Sequence, residues 1–364
     1  MRCYTCTCNN RLFCDNSLCL ACGSELGFCP QCCNLVALVP QPNGLFRCGN
    51  PNCSSDLEKC FNYWQHHVCN RCLVPSTAAG EHFCDCCRFN ATIPDLSLPG
   101  NWQRWVDLEA AKRRLFYELR LLGLPFGTKA DGIEPSLAFD FKGDAIPANE
   151  QWRPIGNSAK VLTGHNDGLI TINIQEADSV EREKLRVNMR ESHRTLIGHF
   201  RHEIGHFYWD VLVRGRREDE CQAVFGDHHR SYDEALQAYY RQGPLPNWQQ
   251  NYISAYSTMH PWEDFAETWA AYLDMISTLD TVSNVGFRGE TDPVHADLDA
   301  MVRRLQELTI ALNEINRNQG LLDVIPEIYV GPVVDKLRYI HQLVQIGREE
   351  NGALRPCPAA TSAA

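Results

Sequence analysis

The chain has 364 residues, 44% of them hydrophobic, and a formal net charge of −11. That length allows two or three domains, and the apolar fraction is enough for a sizeable core. Residues 1–97 hold 6 Lys+Arg against 7 Asp+Glu, a net of −1, which leaves −10 for the remainder; neither part has the basic stripe that phosphate neutralisation requires, so nucleic acid is not the expected partner.

Seventeen of the nineteen cysteines fall before residue 88, and a composition break that sharp marks a domain boundary. No apolar signal-peptide core follows Met1 and no run of eighteen apolar residues occurs, so a cytoplasmic location without membrane contact is expected. In a reducing compartment such cysteine spacing means metal rather than disulfides. Cys3-x-x-Cys6 and Cys19-x-x-Cys22 are two knuckles twelve residues apart, a spacing that suits one four-thiolate zinc in a ribbon. A second structural zinc is expected on Cys48, Cys69 or Cys72, Cys84 and Cys87. Cys29, Cys32, Cys53 and Cys60 leave enough thiolates for a third, with Cys8, Cys14, Cys33 and Cys86 as spare thiols or alternative ligands. Residues 1–97 therefore read as a cysteine-rich zinc-ribbon domain that stabilises the chain or contacts another protein.

The Ser97-Leu98-Pro99-Gly100-Asn101 linker leads into a second domain, 98–355. Residues 102–122 read as an amphipathic helix, with Trp105, Leu108, Leu115, Phe116, Leu119 and Leu122 near helical spacing. Residues 161–163 and 169–174 flank an Asn166-Asp167-Gly168 turn, a hairpin signal. Residues 179–189 read as a charged, exposed helix.

Residues 192–215 follow as a continuous helix, with Ser192 a cap and Gly215 a stop. It carries His202-Glu203-Ile204-Gly205-His206. Two imidazoles four positions apart share a helical face and grip one metal ion, and the glutamate between them is placed to take a proton from an attacking water. Leu196, Ile197, Phe200, Ile204, Phe207 and Leu212 gather mostly on the other side, so the helix is anchored by one face and shows its histidines on another. Trp209 and Leu212 hold the places where a metzincin needs glycine and a third histidine, which excludes that family. Asp210, one turn beyond His206, is an outer-shell candidate for that ring's free nitrogen. Asp227, in Phe225-Gly226-Asp227-His228-His229, is one candidate third ligand, since some zincins use an aspartate about twenty residues past the second histidine. Pro261 opens another helix, on which Glu263 and Glu267 share a face. The tail is helical at 295–317 and 333–348, packed around the site, and 356–364 is expected to be disordered.

Glu263-x-x-x-Glu267 placed after the His-Glu-x-x-His helix resembles the gluzincin arrangement, and the Glu-x-Phe-Ala-Glu form is similar to the lethal-factor-type toxin peptidases. That resemblance implies Glu263 as the third zinc ligand, Glu267 in the outer shell, and Tyr256, seven residues before the ligand, as donor to the oxyanion or the leaving amine; apart from the resemblance, His260 is a lesser candidate for the oxyanion. The cysteine-rich ribbon together with Thr92-Ile93-Pro94-Asp95-Leu96-Ser97, the His202 helix, Phe225-Gly226-Asp227 and His260-Pro261-Trp262-Glu263-Asp264-Phe265-Ala266-Glu267 resembles a bacterial family of zinc-binding metallopeptidases over most of the chain. It implies an α+β chain: a multi-zinc ribbon, then a mostly helical zincin-like metallopeptidase domain with a small β-sheet. It further implies one catalytic zinc with two or more structural ones and a protein or peptide substrate, Glu203 being the general base. The competing class is a binding protein whose His-Glu-x-x-His site holds metal and cleaves nothing.

Overall fold

The computed structural model describes residues 1–75, 82–143, 161, 163–188, 195–286, 292–323, 325–326 and 328–352. The expected Ser192 cap and the 356–364 tail lie outside these residues. The fold is α+β, with small sheets in a cysteine-rich first quarter and helices dominating the rest.

Strands β1 (Tyr4–Thr5) and β2 (Arg11–Leu12) pair as a hairpin. Strands β3 (Leu26–Cys29), β4 (Asn34–Pro40), β5 (Phe46–Cys48), β6 (Asp56–Lys59) and β7 (Cys72–Leu73) form an antiparallel sheet in that order, with one helical turn, α1 (Phe61–Trp64), between the last two. Such short strands bury little by themselves. The β1–β2 end has its own small cluster around Leu12, Leu26 and Leu35. The other end shares one core with the helices: Val36, Leu57 and Phe89 are continuous with Trp105, Leu108 and Leu115. Phe89 meets the Phe116 ring edge-on at 4.8 Å.

Strand β8 (Asn90–Thr92) leaves the ribbon and joins a second sheet. Helix α2 (Asn101–Leu122) follows, starting one residue before the expected position. Strands β9 (Ala138–Lys142), β10 (Gly164–Asn166) and β11 (Leu169–Asn173) complete the sheet in the order β10-β11-β9-β8, the last three parallel and β10 an antiparallel edge. The expected hairpin forms, with its first strand at 164–166 instead of 161–163. Asp167 (φ 47°) and Gly168 (φ 86°) make a two-residue turn of the left-handed kind, so pairing starts at Asn166 opposite Leu169. A Cβ on Gly168 would sit 2.1 Å from the Ser136 carbonyl oxygen.

Helix α3 (Ser179–Asn188) precedes α4 (Leu196–Leu212), the helix of the two histidines. Thr195 caps α4, its Oγ1 accepting from Gly198 N at 3.0 Å. Helices α5 (Glu218–Phe225) and α6 (Tyr232–Gln242) follow, joined by the turn that carries Asp227, His228 and His229. Helix α6 buries no residue fully; Tyr232, Ala235, Leu236 and Tyr239 share one face of it and are half-buried. Helices α7 (Pro261–Val285), α8 (Leu298–Asn318) and α9 (Gly331–Glu350) end the fold. Among the described residues no helix is long and apolar enough to cross a membrane.

Helix α4 is locked on three sides. Phe200, Ile204, Phe207 and Leu212 are wholly buried. Gly205 lets α7 come close, because a Cβ there would lie 2.9 Å from Ala266 Cα and 3.1 Å from Trp269 Cβ. From α2, Glu118 accepts two hydrogen bonds from the buried Arg201 guanidinium, one of them from Nε to Oε2 at 3.0 Å, and Asp274 of α7 takes a third. Helix α7 is tied to α9 by the buried Lys336–Asp264 pair at 2.6 Å.

Candidate metal centres

The close α4–α7 packing brings one turn of each helix together. Helix α7 starts where it does because His260 caps it, Nδ1 accepting from Trp262 N at 3.1 Å, with Pro261 in the first turn. That start sets Glu263 against His202 and His206. The two Nε2 atoms are 3.1 Å apart, with Glu263 Oε2 at 3.0 Å from His202 Nε2 and Oε1 at 3.6 Å from His206 Nε2. A tetrahedral zinc with bonds of 2.0–2.2 Å needs donors about 3.3 Å apart, and these three separations bracket that value. The donor set is the imidazole–carboxylate type that zinc takes in sites with an open position.

The surroundings orient this triad. Glu267 Oε1 lies 2.7 Å from His202 Nδ1, as an outer-shell acceptor should, and the Trp262 ring lies 3.7 Å from that of His206. The Tyr232 hydroxyl donates to Glu263 Oε1 at 2.8 Å. Without metal, burial disfavours a cation at His202, yet hydrogen bonds to Glu263 and Glu267 hold its pKa well above the usual imidazole value. Burial pushes Glu263 upward, and His206 and His202 overcome it, holding the carboxyl well below its ordinary range. Burial lowers His206. Glu203 lies beside them on α4, buried, with Oε2 unpartnered among the described residues; burial raises its pKa to about 7.

Other expected residues fall in different places. Tyr256 reaches the site, its ring 6.2 Å from that of His202 and edge-on to that of Tyr239 at 5.7 Å. Asp227, the alternative ligand, does not: it is exposed, and its Oδ1 accepts from His229 N at 2.9 Å. Asp210 does not reach His206 Nδ1 either. It pairs one turn onward with Arg214 at 2.7 Å, and His206 Nδ1 is buried without a partner among the described residues. His260 cannot serve an oxyanion, because its second nitrogen is also committed, donating to the Arg230 carbonyl at 3.1 Å. Tyr232 is the residue the sequence did not disclose. Ser231, whose hydroxyl accepts from Glu234 N, marks a helix start, but no spacing rule ties that start to Glu263.

The ribbon cysteines gather as Cys6, Cys8, Cys19 and Cys22; Cys29, Cys32, Cys48 and Cys53; and Cys60, Cys69, Cys84 and Cys87. Sulfur separations run from 3.7 Å (Cys6–Cys22, Cys8–Cys19, Cys32–Cys48) through 3.8 Å (Cys69–Cys84) to 3.9 Å (Cys29–Cys53). A tetrahedral zinc with 2.3 Å bonds needs about 3.8 Å. Two expectations are corrected. Cys8 takes the place of Cys3, because the chain is extended through β1 and turns only afterwards, Asn9 N bonding to the Cys6 carbonyl at 2.8 Å with Asn9 at φ 66°. Cys48 belongs with Cys29 and Cys32, since β5 pairs with β4 and β4 with β3, and Cys60 completes the group of Cys69, Cys84 and Cys87 in its stead. Cys72 stays outside the three groups.

Residues 101–343 match the family model described as "Putative zinc-binding metallo-peptidase", and residues 3–98 match a zinc-ribbon domain. An uncharacterized protein of Mycobacterium tuberculosis and one of Mycobacterium bovis are each 34% identical over 357 residues, spanning 94% of this chain and 95% of their own. No solved structure matches the chain.

Proposed function

The chain belongs to that zinc-binding metallo-peptidase family, and on this premise we propose that it is a gluzincin-like peptidase in which His202, His206 and Glu263 hold the catalytic zinc and Glu203 is the general base. The observation that carries the reading is the convergence of the two Nε2 atoms and the Glu263 carboxylate at 3.0–3.6 Å beside a buried, unpartnered Glu203 oxygen. Zinc, when bound, supplies Lewis acidity that polarises a peptide carbonyl and eases ionisation of a water.

Glu203 takes the proton of the attacking water and returns it to the leaving nitrogen. Glu267 fixes the tautomer and tilt of His202, and Tyr232 fixes the Glu263 carboxylate. The Tyr256 hydroxyl donates to the developing oxyanion. Strand β10 has a sheet edge unpaired among the described residues, whose backbone groups would take an extended peptide, and the 6.4 Å stacking of its His165 with His206 supports that role. The ribbon holds zinc on its cysteine groups and presents a protein-contact surface.

Replacing Glu203 by Gln tests the assignment. The variant is expected to keep its zinc content and lose at least about a hundredfold in turnover of a quenched peptide library. Equal cleavage by variant and wild type would sink the mechanism.

A further inference from the structure

The turn between α5 and α6 carries a second set of metal-type donors, separate from the cysteine groups and from His202, His206 and Glu263. Glu218 opens α5, and His228 and His229 lie just beyond its end. One donor atom of each lies within 4.8 Å of the other two. Glu218 Oε1 accepts from Gly215 N at 2.7 Å, which leaves Oε2 turned to His228 Nε2 at 3.8 Å. The two imidazole rings are 4.1 Å apart.

His228 supplies the independent sign of a ligand. Its side chain is only 8% exposed, and neither ring nitrogen has a hydrogen-bond partner among the described residues. A buried donor and acceptor left unmatched are costly, and a cation on Nε2 removes half of that cost. The ring is held edge-on against Trp209 of α4 at 5.3 Å, so it does not escape by turning into solvent. His229 is exposed, so it is free to swing toward the roughly 3.3 Å donor spacing that a shared ion requires.

We propose that Glu218, His228 and His229 bind one divalent transition-metal ion of the borderline class, such as Zn2+, Co2+ or Ni2+, with water completing its shell. Two imidazoles and one carboxylate select that class, whereas Ca2+ and Mg2+ want oxygen ligands alone. The ion would pin the turn that leads within three residues to Tyr232.

The full-length, zinc-loaded protein, freed of loose metal, is titrated with Ni2+ by calorimetry, and zinc in the same sample is counted by mass spectrometry. Wild type is expected to take up one Ni2+ with micromolar affinity, or to carry one zinc more than the His229→Ala variant if the site is already filled. His228→Asn and His229→Ala should each weaken Ni2+ binding at least tenfold, and His202→Ala should leave it unchanged, which keeps this result independent of peptidase activity. His229 is exposed, so its variant is not expected to misfold. Wild type without the extra equivalent in either form, or uptake unaltered in both histidine variants, overturns the proposal.

Discussion

The hydroxyl of Tyr232 donates to Oε1 of Glu263 at 2.8 Å across 31 residues of chain. Phenylalanine at 232 removes that bond and little else, since the ring still packs against Trp262 and His260. Loss of an outer-shell partner typically costs tenfold to a hundredfold in metal affinity. Chelator competition on Tyr232→Phe should show a drop of about that size at one zinc only, and an unchanged profile would remove Tyr232 from the site.

Zinc affinity at the His202 group should rise with pH. Hydrogen bonds to Glu263 and Glu267 raise the His202 pKa in the metal-free protein, so below that pKa the ion must displace a proton. The gain is up to about tenfold per pH unit for one proton released. Competition titrations at pH 6, 7 and 8 check the slope. Glu267→Gln removes one of the charges holding that proton and should flatten it.

Gly205→Ala should loosen the whole helical half. The new Cβ would meet Ala266 Cα at 2.9 Å, which forces α4 and α7 apart. Overpacking of this kind costs about 1–3 kcal/mol. Thermal unfolding should show a lowered midpoint, and a midpoint equal to wild type would mean that the helices do not pack this closely.

Cys8→Ser and Cys3→Ser separate two ways of closing the first knuckle. Serine at 8 should cost one ribbon zinc by mass spectrometry, and serine at 3 should cost none. The reverse outcome restores the Cys3-x-x-Cys6 pairing.

What could be read in the sequence was whatever local periodicity determines. His202 and His206 share a face because of the helical repeat, and Glu263 and Glu267 for the same reason; the turn at Asp167-Gly168 announces itself by residue type. What the chain hides is how distant pieces meet. Four-cysteine groups depend on which strands pair, so Cys48 and Cys60 exchanged places relative to the spacing argument. Asp210 stood at the right interval for His206, but Arg214 at the same interval beyond it competes more strongly for a carboxylate. Tyr232 reaches Glu263 only because α6 folds back over the start of α7, a matter of tertiary path on which residue spacing is silent.

Helix α2 touches both halves of the chain. Near its start Glu109 faces Cys87 Sγ at 3.9 Å and Lys112 Nζ at 3.0 Å, and near its end Glu118 holds Arg201, the residue before His202. Removing residues 1–97 would strip Trp105 of the His66 ring and Phe116 of the Phe89 ring. The halves are therefore not interchangeable parts: a lineage that replaced this ribbon would have to repack α2 at the same time, and a shortened gene product should aggregate rather than fold.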